Sequence, residues 1–168
     1  SHVLQIVLPV GISFYTFQSM SYTIDFYRGN VHRERSFIRF AVFVCLFPQL
    51  VAGPIERARQ ILPQLTRFPT ITTAICADGL SLFVVGLFKK LALADYLSMY
   101  VDEVYSSPGS HNSSALALAT FAFAWQIYFD FSGYTDIALG IAQLLGIKLP
   151  ENFASPYLKP TLTQFWNN

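Results

Sequence analysis

Between Ser114 and Tyr157 the chain reads SALALATFAFAWQIYFDFSGYTDIALGIAQLLGIKLPENFASPY. From Ala115 to Phe129 it is apolar except for Thr120 and Gln126. Asp130, Ser132, Gly133 and Asp136 follow in quick succession, and apolar sequence resumes from Ile137 to Ile147. A helix needs about 20 apolar residues to cross a bilayer. The run is too long for one straight crossing, and it is predicted as two helical segments broken or kinked near Ser132-Gly133. A carboxylate at membrane depth costs about 2.5–3.5 kcal/mol on insertion scales. Two of them at a break mark a site, or a polar contact inside a helix bundle. The rest of the chain must then supply helices that shield them from lipid.

Composition agrees with a membrane setting. Only 12% of the 168 residues are charged and 53% are hydrophobic, against a usual charged share of about 25%. The reading is an all-α, polytopic integral membrane protein with transmembrane helices, a re-entrant loop and an interfacial helix. A net charge of +1 gives no reason to expect nucleic acid as a partner. Cys45 and Cys76 sit in apolar runs without metal-ligand spacing, and both are expected to be buried structural thiols. The chain opens at Ser1, almost inside an apolar run, and stops abruptly at Asn168. It is expected to be a piece of a longer protein or a truncated product, and it lacks a signal-peptide pattern.

Val3 to Ile24 carries no formal charge and is long enough to span, with Pro9 and Gly11 bending it. Ser13, Thr16 and Thr23 share a face, and interhelical hydrogen bonding accounts for them. Asp25 to Arg39 is polar and holds Arg28, Arg33, Arg35 and Arg39, the composition of a cytoplasmic loop. Phe40 to Ala52 is short and interrupted by Pro48. FPQLVAGPIERARQILPQL is therefore predicted to dip into the membrane and return. Arg57 and Arg59 follow directly. They read as an interfacial anchor first, and as an anion or acyl-donor contact second.

Ile71 to Phe88 is apolar apart from its hydroxyls and Asp78, and is expected to end at Lys89-Lys90. One crossing there would put both lysines opposite the arginine-rich stretches, against the positive-inside tendency. From Lys89 to Tyr105, Leu93, Leu97, Tyr100, Val101 and Val104 recur at helical spacing. This suits a helix in the interface plane or packed on a bundle edge. SSPGSHNS, from Ser106 to Ser113, is a loop. Asn112-Ser113-Ser114 matches the glycosylation pattern, a weak motif. Further on, Gln126 and Asp130 share a helix face. Gly133, Asp136, Gly140 and Gln143 form a small-and-polar stripe, which fits helix packing and site lining equally well. Lys148 to Pro160 is a polar loop punctuated by proline. There is no phosphate-cradling glycine loop, metal cluster or Ser-His-Asp arrangement. His2, His32 and His111 lie at the start or in polar loops.

Four stretches carry a resemblance. They are LPVGISFYTFQSMSYTIDFYRG from Leu8, FPQLVAGPIERARQILPQL from Phe47, GLFKKLALADYLSMYVDEVY from Gly86, and QIYFDFSGYTDIALGIAQLLGIKLPENFASPY from Gln126. In this order they resemble the membrane-bound O-acyltransferases, in the branch of the alginate O-acetyltransferases. The teichoic-acid D-alanyl transferases share the broader fold. The resemblance implies a helical ring of spans and re-entrant loops around a central tunnel, in the bacterial inner membrane. It also implies acetyl-CoA as donor on the cytoplasmic side, and extracytoplasmic partner proteins that acetylate a polysaccharide such as alginate. The family's essential histidine would act as base or acyl-handling group. In the family, the Phe-Trp near the end is followed by basic residues and a Trp-His pair. Here Phe165-Trp166 is followed by Asn167-Asn168.

Residues 1–168 are thus expected to form a partial O-acyltransferase domain, incomplete at both ends and inactive alone, with no catalytic or metal-ligating residue assigned. Gln126, Tyr128, Asp130, Ser132, Tyr134 and Asp136 are the expected tunnel-facing polar groups, with Asn152 orienting its loop. Arg57 and Arg59 are the expected acyl-donor contacts. The rivals are a non-enzymatic membrane subunit or transporter fragment whose carboxylates bind an ion or proton, and an inert truncation product.

Overall fold

The computed structural model describes residues 12–46, 57–67, 69–150 and 156–166. All regular structure among them is helical. Helix α1 runs from Ile12 to Tyr27, α2 from Phe37 to Val44 and the single turn α3 from Ala58 to Ile61. Helix α4, Thr73–Leu87, passes through a π-helical segment, Phe88–Ala94, into α5, Asp95–Ser106. After a short loop, α6 runs from Ser113 to Leu144. The turn α7, Leu162–Trp166, follows.

The dominant unit is a long hairpin, with α4, the π segment and α5 packed antiparallel along α6. Asn112 starts α6 by accepting the amide of Ala115 at 2.9 Å and the hydroxyl of Ser114 at 3.0 Å. The same side chain that heads the glycosylation pattern is therefore a helix cap. At the other end, Gly146 sits at φ 74°. Its amide reaches the Gln143 carbonyl at 2.9 Å, and the Ile147 amide reaches that of Ala142 at 2.8 Å. These two bonds are the glycine-terminated helix stop in which left-handed backbone costs least.

Four expectations change. Ser114 to Ile147 is not two segments: α6 is a single helix of 32 residues, about 48 Å long. No proline interrupts it, and where a break was expected Gly133 packs against Gly86 of α4 and Ser132 accepts from Lys89 of the π segment. The helix before Lys89-Lys90 does not end there, so these lysines are not loop charges, and the positive-inside rule concerns loops. Of the two settings predicted for Lys89 to Tyr105, packing matches the bundle edge. Val101 and Val104 are buried, and the hydroxyl of Tyr105 meets that of Thr120 at 3.0 Å. Third, among the described residues Thr16 and Thr23, two of the three hydroxyls assigned to interhelical bonding, bond within α1. They donate to the carbonyls of Ile12 and Ser19 in their own helix, at 2.6 and 2.9 Å, the usual outlet for a mid-helix hydroxyl. Fourth, Cys45 and Cys76 are both exposed. The inward side of their helices is taken by Phe43 in one case and by Gly79 and Gly86 in the other.

The polar stretch from Asp25 also begins later than expected, since α1 continues to Tyr27. Within Phe40 to Ala52, the described part is the end of α2 and Cys45-Leu46. The rest of the predicted re-entrant stretch up to residue 56 lies outside the described residues. A compact cluster forms around Phe43, Leu46, Ala58, Ile61 and Leu62. It takes in Tyr22 from α1, and Ile147 and Leu149 from beyond α6. Gln64 fastens the same junction. Its amide donates to the Lys148 carbonyl at 3.1 Å and accepts the Lys148 amide at 2.8 Å.

Candidate functional site at a glycine-spaced helix crossing

Two glycines on α4, Gly79 and Gly86, face two on α6, Gly140 and Gly133. A methyl group on Gly86 would lie 2.6 Å from the Gly133 carbonyl oxygen, and one on Gly140 would lie 2.5 Å from that of Gly79. The obstacles are backbone atoms, which cannot swing aside. Both pairs are seven residues apart in their own helix, so the backbones touch twice along one seam. Small residues permit this approach.

One turn beyond Gly86, the closeness brings charges together. Lys89 donates to Asp136 at 2.5 Å and to the hydroxyl of Ser132 at 3.0 Å. Its neighbour Lys90 pairs with Asp130. Adjacent residues in an α-helix point about 100° apart, which would turn one lysine away. Both lie in the π segment, whose wider turn narrows that angle and lets both address α6. The settings differ. Side-chain exposure is 25% for Lys89 and 19% for Asp136, against 41% and 54% for Lys90 and Asp130. The first pair is a partly buried tie with a hydroxyl inside it. The second is open.

The other residues expected at the tunnel fall around this crossing. Ser132 is 1% exposed. One turn before Asp130, the side-chain oxygen of Gln126 is buried and accepts no hydrogen bond among the described residues. Tyr128 joins an aromatic group, with its ring 5.2 Å from Tyr157 and Trp125 5.4 Å from Tyr157. The Tyr157 hydroxyl donates to the Ala124 carbonyl at 3.1 Å, docking the segment before α7 on α6. Tyr134 is half-buried on the same helix, and Asn152 lies outside the described residues. Gln143, last in the small-and-polar stripe, lines a separate cleft of about 550 Å³ with Lys148 and Thr70. Arg57 and Arg59 are distant in the chain and exposed. Arg57 lines a cleft beside α1.

Lys89 and Lys90 are the partners that the sequence alone does not attach to the carboxylates. The signal was present in the glycine spacing: Gly79 and Gly86 match Gly133 and Gly140 in antiparallel register, which puts residues 89 and 90 beside 130 to 136. Chemically, the crossing offers two ammonium–carboxylate pairs, a buried hydroxyl and a buried amide oxygen along one seam. Among the described residues no group of three or more His, Cys, Asp or Glu is placed to hold a metal.

No family model matches the chain. Individual relatives do. It is 41% identical over 164 residues to a probable alginate O-acetylase AlgI of Azotobacter vinelandii, covering 98% of this chain and 32% of that protein. It is 41% identical over 161 residues to the corresponding Pseudomonas aeruginosa protein, covering 96% and 31%. It is 34% identical over 189 residues to a peptidoglycan O-acetyltransferase of Helicobacter pylori, covering 97% and 36%. These similarities show the chain to be a relative of the membrane-bound O-acyltransferases. Among these relatives the alginate O-acetylases match at higher identity than the peptidoglycan O-acetyltransferase, and the chain spans about a third of the length of the curated relatives it matches.

Proposed function

We propose that this chain is part of a multi-pass inner-membrane O-acyltransferase that passes acetyl groups from acetyl-CoA toward an extracytoplasmic polysaccharide such as alginate. The observation that carries the reading is 41% identity to alginate O-acetylases along nearly the whole chain. Surface chemistry supports the membrane setting. Helix α6 is long and apolar enough to cross a bilayer, and only 11% of its most apolar window is buried. A soluble core helix would be largely covered. Leu80, Val84, Phe88 and Leu91, and on α6 Leu118, Phe121 and Ile127, are exposed as well. An apolar surface of this kind suits lipid or further protein, not water.

In this reading the crossing is scaffold and lining together. Lys89 and Lys90 neutralise Asp136 and Asp130, so the helices carry their charges into the membrane as pairs. On the continuous α6, Gln126, Asp130 and Tyr134 fall on one face and Tyr128, Ser132 and Asp136 on another, and the first, less buried face is the one proposed to line the acyl passage. Extracytoplasmic partner proteins take up the acetyl group beyond it. The chain by itself is proposed to be inactive. The test is acetate incorporation into alginate by membranes containing a full-length enzyme that carries this segment. Transfer that falls more than protein level in Asp130→Asn supports lining, and equal loss of both supports scaffold alone. A transporter-like role would require Asp130 or Asp136 to exchange its lysine for an ion, and would show as gradient-driven flux without acetyl transfer.

A further inference from the structure

The second cluster of interest lies on α1, away from the crossing. Phe17, Met20 and Ile24 are 55%, 50% and 45% exposed. At spacings of three and four they form one stripe, which ends at Arg28. With Asp25 and Arg57 they line a cleft of about 310 Å³. The stripe from Phe17 to Arg28 rises about 16 Å, close to half of a hydrocarbon core about 30 Å thick. One leaflet's worth of apolar surface thus leads to two guanidinium groups.

Among the described residues no carboxylate forms an ion pair with either guanidinium: the ion pairs are Arg39–Glu34, Lys89–Asp136 and Lys90–Asp130. Asp25 is 6% exposed, and its carboxylate accepts from the side-chain amide of Asn30 at 3.5 Å. Among the described lining residues it offsets one of the two arginines and leaves a net charge of about +1. That balance suits a phosphodiester, which carries one negative charge, better than a phosphomonoester or a nucleotide with several. Guanidinium forks bind phosphate oxygens with paired, charge-assisted hydrogen bonds.

We infer that this cleft holds an anionic phospholipid, its phosphodiester on Arg28 and Arg57 and one acyl chain along Phe17, Met20 and Ile24. For Arg57 this assigns a lipid in place of the acyl-donor contact read from the sequence. The inference rests on the membrane setting proposed above. The experiment is native mass spectrometry of a full-length protein that carries this segment, released from a neutral detergent and titrated with phosphatidylglycerol or phosphatidylcholine. One phosphatidylglycerol should be retained at least tenfold more strongly than phosphatidylcholine. The double variant R28Q/R57Q should abolish that preference with its melting temperature unchanged, and R33Q/R35Q should keep it. Equal retention of both lipids, or equal loss in R33Q/R35Q, would overturn the site. Displacement of the lipid by inorganic phosphate or acetyl-CoA at millimolar concentration would overturn the lipid as occupant and restore a soluble phosphate ligand. A protein monodisperse in buffer without detergent would overturn the membrane setting as well. A detergent-dependent protein that retains no lipid would overturn this inference alone.

Discussion

The α4–α6 crossing and the cluster around Phe43 hold the chain together by opposite means. At the crossing, side chains are removed so that backbones can meet, and the remaining polar groups tie the seam. Around Phe43, large rings fill the space: Phe43 is fully buried, and Tyr22 packs on Phe40 with ring centres 5.0 Å apart. The first arrangement is intolerant of added atoms and indifferent to most apolar area. The second is intolerant of lost atoms. This contrast separates the part of the chain whose geometry depends on glycine position from the part whose geometry depends on volume.

Adding bulk at the crossing is the harshest way to break that contrast. Gly133→Leu would drive a side chain into the Gly86 carbonyl and the Lys90 amide, where even a first carbon would sit 2.8 and 3.0 Å away. Overpacking commonly costs about 1–3 kcal/mol when side chains can yield. Against rigid backbone the expected outcome is no measurable folded population, seen as loss of a cooperative melt in detergent. Removing volume at the other end is milder. Phe43→Ala should cost about 3–5 kcal/mol and leave the hairpin intact, which site-directed cross-linking between α4 and α6 would report. Asn112→Ala removes the α6 cap and should cost about 1 kcal/mol in the same melt. Thr16→Val should change stability by less than about 0.5 kcal/mol, because among the described residues the Thr16 hydroxyl bonds its own helix.

The helical class and most helix positions were legible because apolar runs and their punctuation are local properties. The caps at Asn112 and Gly146 were not read from the sequence, where Asn112 stood only as the head of a glycosylation pattern and Gly146 lay inside an apolar run. Three further things were not legible. The continuity of α6 through Ser132-Gly133 is decided by what α4 offers those small residues, a tertiary fact. The π segment leaves no periodic signature of its own, so Lys89-Lys90 read as the end of a helix when they lie in the middle of one. The exposure of Cys45 and Cys76 runs against their apolar surroundings, because in this chain apolar and buried are not equivalent. The polar residues of the candidate site were found as a group from Gln126 to Asp136. Their lysine partners were 40 to 47 residues away and needed the antiparallel register to be seen.

The central claim is that the acidic stretch of α6 is answered by the lysines of the π segment, tightly at one pair and loosely at the other. Two double-mutant cycles on thermal or denaturant stability in detergent test it most directly, Lys89→Ala with Asp136→Ala and Lys90→Ala with Asp130→Ala. The structure predicts a coupling of about 1–3 kcal/mol for the first pair, within the range for residues in contact. For the exposed second pair it predicts less than about 1 kcal/mol. Zero coupling between Lys89 and Asp136, or a larger coupling in the exposed pair, would contradict it.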